Sequence, residues 1–153
     1  MASLTPFLWL DSDLAEVLAF YRSVFPDMVV HDRQGAGPEG PVFSATIELF
    51  GQQIRLFNAG PPPGPLTEAI SLMIEVSSQA EIDHLWDRLT SGGGQPGRCG
   101  WLKDRFGLSW QIVPDMLGAV LGGGDPARAQ QAQAAMMTMT KLDIAALQAA
   151  YER

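Results

Sequence analysis

A chain of 153 residues with 10 Lys+Arg against 17 Asp+Glu, a net charge of −7 and 46% hydrophobic residues fits one domain. A domain of that size buries about 68–70% of its unfolded surface and needs neither disulfide nor metal to fold. The acidic balance, with no basic stripe to offset it, argues against nucleic acid and leaves a small molecule or a protein as partner. The single Cys99 has no internal bridge, MASLTPFLWLDSD lacks a basic leader, and no run approaches the ~20 apolar residues of a membrane span, so a cytoplasmic protein without a membrane partner is expected.

Phe7 to Leu10 reads as a first strand, and Asp11, Ser12 and Asp13 offer capping oxygens to a helix in which Leu14, Val17, Leu18, Tyr21 and Val24 recur at helical spacing up to Pro26. Met28 to Val30, Val42 to Phe50 and Gln52 to Asn58 read as three further strands, the last two joined across a tight turn at Gly51. The result is a βαβββ module over residues 4–59. GPPPGP at residues 60–65 cannot form a helix or ladder strand, because its prolines lack donors, and 60–66 is an extended connector.

A second strand-cap-helix unit follows. At an offset of 65 residues Phe7 falls on Leu72, Ser12 on Ser77, Glu16 on Glu81, Val17 on Ile82 and Tyr21 on Trp86. At a different offset Gly51 to Phe57, containing Arg55, lies over Gly107 to Val113, containing Gln111. Two copies of one βαβββ module, the second over 67–114, are the simplest account of this single-domain chain. Residues 115–153 are a helical extension: a short turn from Met116 to Leu121, a helix from Ala127 to Thr140 opened by Asp125-Pro126, and a last amphipathic segment from Leu142. Met136, Met137 and Met139 read as packing against the sheet or a partner subunit. The fold class is α+β.

Because strand side chains alternate, Ile54, Leu56, Leu72, Ile74, Val76, Leu108, Trp110 and Ile112 form an apolar set that faces the helices. The opposite parity holds Gln53, Arg55, Ser71, Met73, Glu75, Ser109 and Gln111, and faces water or a cleft between the modules. Polar groups in strands otherwise built for burial need a partner or a ligand. Arg55 offers a planar cationic fork suited to a carboxylate, phosphate or polarised carbonyl, or else an ion pair with Glu48 or Glu75. Ser71, Ser109 and Gln111 are candidates to orient a ligand, Trp101 to wall the site, and Glu75 and Arg55 are the weak catalytic candidates, Glu75 as a base if burial raises its pKa. Cys99 lacks an evident His/Asp pair and reads as a packed thiol; His31 and His84 do not make a ligand pair.

The two modules, the FYRSVFPD end of the first helix, NAGPPPGPLTEAISLMIEV, CGWLKDRFGLSWQIVPD and the KLDIAALQAAYER tail resemble the PhnB-like branch of the vicinal oxygen chelate (glyoxalase / bleomycin-resistance / dioxygenase) superfamily. That branch often carries the label "3-demethylubiquinone-9 3-methyltransferase". The resemblance implies a cupped mixed sheet, a ligand cleft on its concave face, and a homodimer. It also implies metal-ligand positions at Pro6 (within a residue or so), Arg55, Ser71 and Gln111, where the metal enzymes of the superfamily carry His and Glu. Proline cannot ligate, arginine repels a cation, and serine and glutamine are weak ligands. The expectation is therefore no metal and no other cofactor, with a small organic molecule bound instead. The rival is a metal-dependent lyase, isomerase or dioxygenase using Glu48, Glu75 or His31. Methyl transfer is disfavoured, because the cluster Gly92 to Gly94 follows a helix, whereas a methyl-donor turn opens one.

Overall fold

The structure, a computed structural model, describes every residue except Glu39. It consists of two compact units, Met1–Pro65 and Leu66–Arg153, each with a four-stranded mixed sheet, the first with one α-helix and the second with four among the described residues.

In the first unit, β1 (Phe7–Trp9), α1 (Leu14–Val24), β2 (Val29–Gly35), β3 (Val42–Leu49) and β4 (Gln52–Phe57) form a sheet of order β1-β4-β3-β2, in which β1 runs parallel to β4. Asp13 caps α1 by accepting from the Ala15 N–H at 2.9 Å. Leu14, Val17, Phe20, Tyr21 and Val24 are buried on one helix face, and Ala45, Ile47, Ile54 and Leu56 are buried in β3 and β4. The opposite faces of these two strands carry the polar side chains.

β2 is longer than its expected three residues. Its added part, HDRQG, is polar because β2 is an edge strand, where charged side chains discourage pairing with another chain. Phe50 does not belong to β3. With Gly51 it forms a two-residue hairpin loop in which both φ are positive, 50° and 81°. The Phe50 ring lies edge-on to Phe25 at 5.9 Å.

The second unit repeats the plan with β5 (Leu72–Val76), α2 (Gln79–Leu89), β6 (Gln95–Pro96), β7 (Trp101–Lys103) and β8 (Ser109–Pro114), in the order β5-β8-β7-β6 with β5 parallel to β8. Ser78 and Glu81 close a reciprocal capping box on α2. Ile74, Val76, Leu108, Trp110 and Ile112 are buried; Leu72 is only half-buried. α3 (Leu117–Gly122) is a helix where a turn was expected, α4 spans Pro126–Met136, and α5 spans Ile144–Glu152. α4 stops short of Thr140 because the Met139 and Thr140 carbonyls accept from the Cys99 and Gly100 N–H groups at 2.9 and 2.8 Å. Leu142 and Leu147 pack with Val113, and Met136 and Met139 close over them, so these two methionines are core to their own unit; Met137 is exposed.

Polar contacts fasten this extension to α2. Gln79 donates to the Leu142 carbonyl and accepts from the Ile144 N–H, and Lys141 lies 2.9 Å from Asp83 and 3.7 Å from Asp87. The hydrogen bond from Lys141 holds the Asp83 carboxyl below its ordinary 3.8, and Asp83 in turn raises the Lys141 ammonium above 10.5. The stabilising contribution is full between those ordinary values. It is lost as pH falls below 3.8 through the folded Asp83 pKa, and as pH rises above 10.5 through the folded Lys141 pKa. Denaturant titrations across pH should therefore give Lys141→Met a modest, constant deficit in the neutral range that narrows at both extremes.

The strands of the repeat are offset by one residue more than the helices. Exposed Met73, not Leu72, pairs with Gln111, as exposed Phe7 pairs with Arg55. A one-residue slip exchanges the two faces of a strand, so the offset of 65 holds for α1 and α2 and fails for β1 and β5.

Candidate functional site

Each unit carries a groove on its sheet. In the first unit, β3 and β4 turn Ser44, Thr46, Gln53, Arg55 and Phe57 to the face opposite buried Ile54 and Leu56, and these side chains line a groove of about 500 Å³. Thr5, Phe7, His31, Asp32, Gln34 and Phe43 complete its walls. Phe7 and Phe43 are 58% and 49% exposed, and the Phe7 and Phe57 rings lie 5.4 Å apart.

Arg55 is held at one point. Its Nη1 donates to the Ser44 hydroxyl at 3.1 Å and lies 3.5 Å from Asp32. Within its own unit the expected pairing with Glu48 is replaced: Glu48 is taken by His31 at 2.7 Å, and Arg55 pairs with Asp32 on β2. Thr46 stands opposite Arg55 in the β3–β4 register and is 5% exposed, yet its hydroxyl has no hydrogen-bond partner among the described residues. A buried hydroxyl left unpaired costs about 1–3 kcal/mol.

In the second unit, Trp101, Lys103, Ser109, Glu68 and Arg98 line a groove of about 510 Å³. Lys103 pairs with Glu68 at 3.1 Å. Ser109 is 1% exposed, and it is the second buried side chain with an unpartnered hydroxyl among the described residues. This groove is positioned by Asp104, which the sequence reading passed over. Its carboxylate, 3% exposed, accepts from the Phe106 and Leu108 N–H groups and from Trp110 Nε1, at 2.9, 3.1 and 2.9 Å, and so fixes the hairpin between β7 and β8.

The other expected site residues lie apart from these grooves. Gln111, half-buried, donates to the Ser71 hydroxyl at 2.9 Å, so its amide has a partner from β5, and neither residue lines the groove that holds Trp101 and Ser109. Glu75 is exposed and lines neither groove. Cys99 donates to the Met136 carbonyl at 3.5 Å and lies 3.8 Å from Met137 Sδ, a packed thiol. Ser44, Thr46 and Asp32 were missed; the alternation of Ser44, Thr46 and Glu48 in FSATIEL was the signal for the first two.

The implied metal positions do not fit a metal. Pro6 contributes only its carbonyl, which accepts from the Arg55 N–H at 2.8 Å, and the residue at that end of β1 that lines the groove is Thr5. In the first unit these positions offer the Thr5 hydroxyl and the Arg55 cation, and in the second the Ser71 hydroxyl and the Gln111 amide, none of them an imidazole or a carboxylate. Among the described residues no three His, Cys, Asp or Glu side chains gather where they could hold an ion. Gly92 and Gly93, with φ of 64° and 108°, turn the chain out of α2, so this glycine cluster ends a helix and opens none.

Residues 2–113 match the family described as 3-demethylubiquinone-9 3-methyltransferase. A solved structure described as a putative 3-demethylubiquinone-9 3-methyltransferase, PhnB protein, from Bacillus cereus is 25% identical, with a TM-score of 0.65 over 74% of this chain and 99% of that one. Protein PA1353 from Pseudomonas aeruginosa is 17% identical (TM-score 0.57, 75% and 100% covered). The fosfomycin resistance protein FosX from Listeria monocytogenes, solved with Mn(II) and sulfate, is 14% identical (TM-score 0.53, 73% and 91% covered) and shares the fold. No curated protein matches the sequence significantly. The chain belongs to the 3-demethylubiquinone-9 3-methyltransferase (PhnB-like) family.

Proposed function

We propose that this protein binds a small organic ligand in the Arg55 groove, without the metal ion that metal enzymes of its superfamily use. Thr46 carries this reading: a threonine hydroxyl buried without a partner, at the floor of a groove and next to a half-engaged arginine, is a cost that a ligand removes. In this reading the protein works in the cytoplasm as a homodimer, with no nucleic-acid or membrane partner. Exposed Ile70 and Met73 are apolar surface that such an assembly would cover. The family description names a methyl transfer, and the helix-ending glycines give that reaction no support.

If Thr46 serves a ligand, the protein without ligand gains nothing from its hydroxyl. Thr46→Val, which keeps the shape, should leave the melting temperature unchanged or raise stability by up to about 1 kcal/mol, and thermal-shift screening of an organic-acid library should give hits that Arg55→Ala abolishes. A clear loss of stability in Thr46→Val would make the hydroxyl structural. A stoichiometric transition metal retained after dialysis would overturn the metal-free reading.

A further inference from the structure

Resting on that reading, we infer that the Arg55 groove selects a planar aromatic monocarboxylate. The guanidinium spends only Nη1 on the protein; its Nε and Nη2 edge has no partner among the described residues, and that edge is the one that grips a carboxylate through two parallel hydrogen bonds. Thr46 stands directly across from Arg55 on β3, so its hydroxyl supplies a third donor to the same anionic head.

The body of the ligand follows from the walls. Phe7 is in register with Arg55 on β1, Phe57 lies two residues along β4, and both share the groove with half-exposed Phe43. Flat aromatic surfaces around one cation favour a flat apolar body next to a negative head. Charge sets the valence. His31 also lines the groove but is engaged by Glu48 at 2.7 Å, and Asp32, 3.5 Å from Arg55, already offsets much of the guanidinium charge, so a second negative charge on the ligand would face that carboxylate. A monoanion is accommodated and a dianion is opposed.

Calorimetric titration with 2-naphthoate, 2-naphthamide and 2-naphthyl phosphate tests this. The carboxylate should bind at least about tenfold more tightly than either the neutral amide or the phosphate. Arg55→Ala should weaken naphthoate at least about tenfold, and Thr46→Val severalfold, with the fold intact by circular dichroism; Asp32→Asn should narrow the gap between carboxylate and phosphate. Naphthamide binding as tightly as naphthoate, or naphthoate affinity unmoved in Arg55→Ala, would overturn the carboxylate assignment. If naphthamide then shifts the Phe7 and Phe57 NMR signals, the groove remains a small-molecule site of another class. If no naphthyl compound binds, the aromatic assignment falls, and the response of the library hits to Arg55→Ala decides the broader reading separately.

Discussion

Asp104→Ala should cost about 3–5 kcal/mol, a fall in Tm on the order of 10 °C, the largest effect of any polar substitution in the second unit. The carboxylate is the common acceptor for two backbone N–H groups of the hairpin and the indole N–H of Trp110, which is itself 1% exposed. Removing it takes a shared acceptor from three donors at once and opens space beneath the indole, and a lost buried acceptor costs more than the bonds contributed. Asp104→Asn separates the two kinds of partner. One amide oxygen can still accept from Phe106 and Leu108, but the NH2 then faces Trp110 Nε1, donor against donor, so a loss of about 2 kcal/mol is expected. In a Trp110→Phe background that conflict disappears, and urea unfolding of the double-mutant cycle should show the Asn substitution costing at least about 1 kcal/mol less. Additive effects would mean that the indole bond adds nothing to the hairpin.

Asp104 also shows where a sequence stops being legible. Aspartate is a residue type expected at the surface, and its buried place here depends on a hairpin that brings donors from two and four residues onward, and from Trp110, to one point. Only the aspartate-to-glycine spacing of DRFG, a turn signal, hinted at it. α1 and α2 were legible because apolar residues at helical spacing follow capping side chains, two signals that agree. β2 was half hidden, since an edge strand is polar for reasons of solubility and then resembles a loop.

Register was the least legible feature. FLWL is apolar on both parities, so sliding it by one residue over LMIEV gave no penalty, while the buried and exposed faces of β1 and β5 distinguish the two alignments. Arg55 was found because β4 alternates cleanly. Thr46 was missed because the polar parity of the strand read from Val42 to Phe50 was not collected, although Ser44 and Thr46 lie on the same groove as Arg55.

The second large effect is expected at Gly100, and it tests how the C-terminal extension is held. Cys99 and Gly100 both have positive φ, 56° and 84°, and this left-handed pair turns two consecutive N–H groups toward the Met139 and Thr140 carbonyls. A Cβ on Gly100 would meet the Ile112 carbonyl oxygen at 2.7 Å and Leu142 Cδ1 at 3.1 Å, and Leu142 is fully buried. The oxygen is backbone and accepts no easy displacement, so Gly100→Ala carries steric conflict on top of the left-handed strain, about 3 kcal/mol together. Gly107 is the internal control. Its φ is 86° and a Cβ there meets nothing within 4 Å, so Gly107→Ala should cost only the strain, about 1 kcal/mol. Hydrogen exchange gives the second readout: Gly100→Ala should accelerate exchange of the Cys99 and Ile112 amides and of α5, because the strand β8 and the extension share this contact, while Gly107→Ala leaves α5 protected. Equal losses in the two variants, with α5 unmoved in both, would show that the extension is held by Gln79 and Lys141 and not by the close approach at Gly100.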